Sequence, residues 1–84
     1  MISEGTPLKM LFKSLNNTIL VKLKDGSEIL GILERCDPNM NMILLEAKEI
    51  DENNGKPLTN YGLVFIRGSN VLFVVFDPSQ VIYE

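Results

Sequence analysis

The stretch that decides the fold is residues 63–76, which reads LVFIRGSNVLFVVF. Two apolar runs, 63–66 and 71–76, flank the polar turn RGSN at 67–70. Consecutive apolar residues put hydrophobic side chains on both faces of a strand, and a chain of 84 residues is too small to cover all of them. An exposed hydrophobic edge strand aggregates unless another subunit pairs with it. The pattern therefore predicts self-association, and a repeated head-to-tail contact between copies closes a ring.

Upstream of this stretch, the chain reads as three further strands separated by turn signals. Asp25-Gly26 is the strongest of these signals and predicts a tight hairpin. Gly31 interrupts the second strand, which predicts a sharp bend or a close backbone approach. A polar loop is expected at 51–57. The five predicted strands cover about residues 18–23, 28–36, 40–50, 58–66 and 71–76.

A short amphipathic helix is predicted at the start, over about residues 7–15. Thr6 is a good N-cap and Pro7 suits the first helical position. Leucine or phenylalanine then recurs with helical spacing at positions 8, 11, 12 and 15. Asn16 and Asn17 tolerate left-handed backbone and supply the stop signal.

Composition excludes several classes of function. The net charge of −3 argues against sequence-blind binding to duplex DNA, which needs many lysines and arginines. One cysteine, Cys36, and no histidine leave no internal disulfide and no transition-metal ligand set, so no metal or cofactor is expected. The chain shows no nucleophile–base pair and no glycine-rich phosphate loop, so we do not expect an enzyme. With neither a signal peptide nor a membrane span in the sequence, we expect a soluble cytoplasmic protein and no membrane partner.

Three features invite a site but have a simpler interpretation. The acidic residues between Glu46 and Glu52 lack the ligand spacing of a calcium loop, so we expect a solvated surface. Cys36 ends a strand beside apolar residues and is interpreted as a buried thiol. Met40 is interpreted as a core side chain.

Two segments resemble the two sequence motifs of the Sm and Sm-like (LSm) family, and the chain looks most like the archaeal type. The first segment is residues 19–44 and the second is residues 63–76. With the opening helix, the resemblance covers nearly the whole chain, as one domain over residues 1–84 with a tail at 77–84. The residues that carry it are Val21, Leu23, Asp25, Gly26, Gly31, Leu33, Asp37, Met40, Asn41 and Leu44, followed by Ile66, Arg67, Gly68, Asn70 and Val71.

The resemblance implies the Sm fold, an all-β, strongly bent, five-stranded antiparallel open barrel of SH3-like type with one short N-terminal helix. Members of the family form six- or seven-membered rings in which the fourth strand of one subunit pairs with the fifth strand of the next. Single-stranded RNA, preferably oligo-U, is held at the inner rim by two turns. In this sequence those turns are Asp37–Asn41 and Arg67–Asn70.

The resemblance assigns roles to four residues of these turns. Asn41 presents an acceptor and donors to the edge of uracil, and Asp37 orients that amide. Arg67 stacks on a base or reaches a phosphate, and Gly68 permits a close approach of the backbone to the base.

Two further positions of the site depart from the family pattern. Asn39 stands where many members have an aromatic residue or histidine that stacks on the base. Its presence is expected to weaken each pocket or to relax the preference for uridine. Ser69 stands where an acidic residue often follows the Arg-Gly pair, which changes a hydrogen bond at the turn.

The leading hypothesis is therefore a non-enzymatic, RNA-binding ring subunit that acts in RNA processing, turnover or ribonucleoprotein assembly. An alternative is a structural or protein-interaction ring with weak or relaxed RNA binding. A third hypothesis is a monomeric SH3-like barrel that docks peptides. The sequence leaves open the ring size, the stacking of rings, the RNA targets and the participation of Sm-like paralogues.

Overall fold

The computed structural model of the protein describes residues 6–80, and the apolar end of the predicted tail, residues 81–84, lies outside this range. Residues 6–80 form one α-helix and five strands. Their bounds are α1 Pro7–Lys13, β1 Thr18–Leu23, β2 Glu28–Cys36, β3 Met42–Ile50, β4 Pro57–Ile66 and β5 Val71–Val75. Short 3₁₀ turns follow β4 at Gly68–Asn70 and β5 at Pro78–Gln80. No helix in the described range is long and apolar enough to cross a membrane.

The five strands form a single sheet in the order β4-β3-β2-β1-β5, and every neighbouring pair is antiparallel. The predicted fold class, an antiparallel five-stranded sheet with one short N-terminal helix, is confirmed. The two apolar strands singled out from the sequence, β4 and β5, are consecutive in the chain but occupy opposite edges of the sheet. Each therefore has an unpaired edge within one subunit.

Helix α1 begins as the sequence predicts and ends earlier. The Thr6 hydroxyl accepts a hydrogen bond from the Lys9 N–H at 3.3 Å and caps the N-terminus. Ser14 ends the helix, and Asn16 then adopts a left-handed conformation with φ of 69°. Leu11 is fully buried, whereas Phe12 and Leu15 of the predicted apolar stripe are exposed. A helix of two turns covers one end of the sheet with too little surface to bury the whole stripe.

The sheet bends at Gly31, where the backbones of β2 and β3 approach closely. A Cβ at this position would lie 3.1 Å from both the Leu44 Cβ and the Leu45 carbonyl oxygen. The register of β2 against β3 also shifts between Leu30 and Ile32. The close backbone approach that the sequence predicted as one alternative at Gly31 is therefore confirmed, and register shifts of this kind curl a small sheet.

The concave side of the sheet holds the hydrophobic core. Its largest fully buried side chains are Leu11, Ile19, Val21, Leu33, Met42 and Leu44. The free sheet edges expose apolar side chains instead: Leu58, Tyr61, Leu63 and Phe65 on β4, and Leu72 and Phe73 on β5. Within the described residues, the unburied apolar strand surface thus lies where the sequence pattern predicts it.

Candidate nucleic-acid interface

Two turns meet at the end of the β3–β4 ladder. The last pair of this ladder is Met42 opposite Ile66, and both side chains are buried. Asn41 immediately precedes Met42, and Arg67 immediately follows Ile66. The core therefore fixes where each turn leaves the sheet, and it brings the predicted segments 37–41 and 67–70 side by side.

The first turn is organised around the carboxylate of Asp37. Its Oδ1 accepts the backbone N–H groups of Asn39 at 2.8 Å and of Asn41 at 3.0 Å. Its Oδ2 accepts the Asn41 side-chain Nδ2 at 3.0 Å. The Asn41 amide, together with the two backbone donors, lowers the pKa of Asp37 below its ordinary value. The turn therefore contains an ionised carboxylate that three hydrogen bonds stabilise.

The second turn is locked to the first through Asn41. The Gly68 N–H donates to Asn41 Oδ1 at 2.8 Å. Glycine is required here for space, because a Cβ on residue 68 would lie 1.9 Å from the carbonyl oxygen of Asn39. The φ of Gly68 is not left-handed, so conformational freedom does not explain this residue. The Asn41 amide is consequently held from both sides and its orientation is set by its two partners.

The remaining predicted site residues flank this network with free side chains. Asn39, Arg67 and Ser69 are exposed, and their side chains form no hydrogen bond to another described residue. The backbone of Asn39 nevertheless contacts Gly68, and the Arg67 carbonyl accepts the Asn70 N–H at 2.9 Å. The structure thus joins Asp37, Asn41 and Gly68 directly and leaves the other three as a rim around them.

Met40 and Cys36, in and beside the first turn, pack against the hydrophobic core. Met40 has a left-handed φ of 67°, and both side chains pack partly buried against the core. Burial raises the pKa of the Cys36 thiol, which favours the neutral form. Both side chains therefore contact the core as the sequence predicts, but each is half-buried rather than fully buried.

The acidic residues before the β3–β4 loop are engaged in ordinary surface contacts. Glu49 accepts a hydrogen bond from the Tyr61 hydroxyl at 2.8 Å, and Glu52 pairs with Lys22. Among the described residues, no cluster of histidine, cysteine or carboxylate side chains is suited to hold a metal ion.

Sequence reasoning missed two residues beside the first turn. Arg35 and Phe65 line a shallow cavity of about 250 Å³ together with Asp37 and Asn41. The motif pattern does not include Arg35 and treats Phe65 only as an apolar strand residue.

The architecture and the two turns define a class of protein. A five-stranded antiparallel sheet with a short N-terminal helix is the architecture of a small β-barrel protein, and two turns joined through the Asn41 amide lie at one end of its β3–β4 ladder.

Comparison with known proteins specifies the class. The model of the LSM domain matches residues 9–76. An snRNP Sm-like protein of Archaeoglobus fulgidus is 44% identical over 72 residues, which cover 86% of this chain and 91% of the relative. The solved structure of the Pyrococcus abyssii Sm protein in complex with a uridine heptamer superposes with a TM-score of 0.76 at 37% identity, covering 83% of this chain and 96% of that one.

A heptameric archaeal Sm protein superposes with a TM-score of 0.68 at 40% identity, and the match covers 77% of this chain and 91% of that protein. The chain therefore belongs to the Sm-like (LSM) family, and its fold is the open barrel of that family.

Proposed function

We propose that this chain is a non-enzymatic ring subunit that binds single-stranded, uridine-rich RNA at the inner rim and acts in RNA processing, turnover or ribonucleoprotein assembly. One observation carries the proposal: the Asn41 amide is held between Asp37 and Gly68 in a single orientation. The cytoplasmic location expected from the sequence stays a prediction.

The orientation of Asn41 explains a preference for uracil. A side-chain amide has two N–H donors and two acceptor lone pairs, of which Asp37 and Gly68 use one each. One donor and one acceptor remain for a ligand. Uracil offers a carbonyl acceptor beside the N3–H donor and can meet both.

Cytosine offers an amino donor beside an acceptor nitrogen, which is the reverse order. Binding cytosine equally well would require the Asn41 amide to flip. The flip would direct Nδ2 at the Gly68 N–H and Oδ1 at the Asp37 carboxylate, so both bonds would become repulsive.

The free edges of the sheet support assembly into a ring. The unpaired edge of β4 exposes Leu63, and the unpaired edge of β5 exposes Leu72. Pairing β4 of one copy with β5 of the next covers such edges and repeats around a closed ring. The similar archaeal Sm protein is heptameric, and seven is one of the two ring sizes that the family resemblance implies. A ring then presents many copies of a weak site to one RNA strand, and the copies together raise the affinity.

Asn39 favours a second candidate function, a ring with weak or relaxed RNA binding. Its exposed amide provides no flat aromatic surface for a base. Stacking on an aromatic side chain is worth about 1–3 kcal/mol per base. The exposed Arg67 guanidinium offers a planar cation in its place. In our proposal Arg67 contacts a base or phosphate beside the one that Asn41 reads.

Fluorescence anisotropy with labelled oligo-U, oligo-C and oligo-A, repeated at two salt concentrations, tests the proposal. We expect tight binding of oligo-U, weaker binding of oligo-C, and loss of oligo-U binding in Asn41→Ala and Arg67→Ala. Asn53→Ala and Lys56→Ala, in the exposed loop after β3, are matched controls that should bind like the unmodified protein. Native mass spectrometry of every variant checks that the ring is intact.

A ring that binds the three RNAs equally and weakly would favour the second candidate function. A stable monomer at micromolar concentration would contradict both candidates and would revive the monomeric peptide-docking barrel.

A further inference from the structure

A row of three outward-facing side chains crosses the sheet beside the first turn. Arg35 on β2 is paired with Ile43 on β3, and Ile43 is paired with Phe65 on β4. Arg35 is exposed, Ile43 is half-buried, and Phe65 is 59% exposed. The three residues line the cavity that also reaches Asp37 and Asn41, so the row is continuous with the candidate base pocket.

The charge of Arg35 is available to a ligand. Among the described residues, both ion pairs belong to Lys22, and Arg35 has no carboxylate partner. The nearby Asp37 carboxylate is already satisfied by three hydrogen bonds from its own turn. A phosphate placed at Arg35 would therefore meet a guanidinium with no carboxylate partner among the described residues, beside an Asp37 carboxylate that keeps its charge but directs its oxygens at its own turn.

The dimensions of the row fit one nucleotide. Neighbouring strands are about 4.8 Å apart, so the backbones at Arg35 and Phe65 are separated by roughly 10 Å across Ile43. A base resting on Phe65 and Ile43 would place its own phosphate within reach of the long Arg35 side chain. An aromatic face beside a cation is the usual combination for holding a nucleotide of a single strand.

Ring assembly leaves this row accessible. The free edge of β4 is on the side away from β3. A strand that pairs with that edge therefore contacts the far side of Phe65, and leaves open the side of Phe65 that faces Ile43 and Arg35.

We propose that Arg35, Ile43 and Phe65 form a second nucleotide subsite, occupied by the residue of the RNA strand adjacent to the uridine at Asn41. The inference rests on the proposed function. In this proposal Phe65, which lines the same cavity as Asp37 and Asn41, provides the stacking surface that Asn39 lacks.

Two variants and one crosslink test the subsite. Arg35→Gln should weaken oligo-U binding about fivefold or more and reduce the slope of log affinity against log salt, as expected for a lost phosphate contact. Lys56→Gln, which removes one exposed charge from a distant loop, is the matched control and should change neither quantity beyond the general charge effect. Phe65→Leu keeps an apolar edge residue and should weaken binding without changing the mass of the ring.

Photocrosslinking with 5-bromouridine in oligo-U, followed by peptide mass spectrometry, should place one crosslink at Phe65. If Asn41→Ala abolishes binding while Arg35→Gln behaves like Lys56→Gln and no crosslink forms at Phe65, the subsite is refuted and the proposed function stands. If Asn41→Ala has no effect, the proposed function fails and the subsite, which depends on it, fails with it.

Discussion

Replacing Gly68 by alanine should separate the two turns of the site while the sheet stays folded. The new Cβ would lie 1.9 Å from the Asn39 carbonyl oxygen and 3.0 Å from the carbonyl carbons of Asn39 and Met40. These are backbone atoms of a turn whose hydrogen bonds hold it in place, so a side-chain rotation cannot relieve the clash. Ordinary contact begins at 3.4 Å, and the turns must therefore part by about 1.5 Å.

This separation breaks the bond that orients Asn41. The distance from the Gly68 nitrogen to Asn41 Oδ1 is 2.8 Å, and a shift of this size takes it beyond hydrogen-bonding range. The lost bond costs about 0.5–1.5 kcal/mol, and residual crowding costs about 1–3 kcal/mol. These are costs to the stability of the folded protein. When uracil binds, the freed amide must be ordered again at about the cost of the lost hydrogen bond, and since about 1.4 kcal/mol corresponds to a factor of ten in affinity, we expect oligo-U to bind up to about tenfold more weakly. The preference for oligo-U over oligo-C should fall as well, because the freed amide can turn.

Anisotropy titrations with oligo-U and oligo-C measure both effects, and thermal unfolding followed by circular dichroism measures the cost in stability. A loss of 1 kcal/mol lowers the melting temperature by about 4–8 °C in a domain of this size. Gly26→Ala is the matched control. Gly26 has a left-handed φ of 98° and no atom within 4 Å of its Cβ position, so alanine there adds backbone strain without a clash.

Gly26→Ala should therefore lower the melting temperature and leave the RNA affinities unchanged. If Gly68→Ala retained both the affinity for oligo-U and the discrimination against oligo-C, the link between the two turns would not be what orients the amide, and the reasoning would be refuted.

Three further outcomes follow from the same contacts. Asn39→Tyr should tighten oligo-U binding by about tenfold, because it adds a stacking surface, and unchanged affinity would place residue 39 away from the base. The pKa of Asp37 is lowered, so its carboxylate stabilises the fold and the pocket at any pH above the ordinary aspartate pKa, and this stabilisation is lost only as the pH falls through the lowered pKa. Oligo-U titrations in mildly acidic buffer should therefore show constant affinity. Asp37→Asn should bind oligo-U more weakly at every pH in that range. Gly31→Val should destabilise the protein by about 1–3 kcal/mol in thermal unfolding, since its Cβ would meet β3 at 3.1 Å, and an unchanged melting temperature would contradict the close approach.

Local signals in the sequence were sufficient for much of the fold. The Asp25-Gly26 hairpin depends on four neighbouring residues, and Ser27 donates both its N–H and its hydroxyl to the Asp25 carboxylate as such turns do. The two edge strands were predicted because their apolar runs cannot be buried on both faces in a small domain. The exposed Phe12 was not predicted, because periodicity identifies a helix face but not how much of that face the sheet can cover.

The candidate site likewise depends on contacts that local sequence patterns do not predict. The hydrogen bond between Asn41 and Gly68 spans 27 residues, so no local pattern predicts it, and the family resemblance implied only that the two turns lie together at the inner rim. The exposed face of β2 could not have been predicted for Arg35 even if the bounds of that strand had been known. In a regular strand it would share the core-facing side with Leu33, but the register shifts between these two residues and turns Arg35 to the exposed face.

In the proposed function, the preference among bases depends on the single subunit, whereas the affinity for RNA depends on the assembled ring. Asp37, Asn41 and Gly68 belong to one chain, and the buried pair Met42 and Ile66 holds their turns in position, so in the proposed function each subunit builds its own site for uracil. One such amide makes only two hydrogen bonds to a base, which water replaces at little cost, and the net gain is therefore about 1 kcal/mol for each bond. Useful affinity must come from the repetition of the site around the ring. A subunit that fails to assemble should consequently keep the order of preference among bases while its affinity for RNA collapses, because the two properties depend on different contacts.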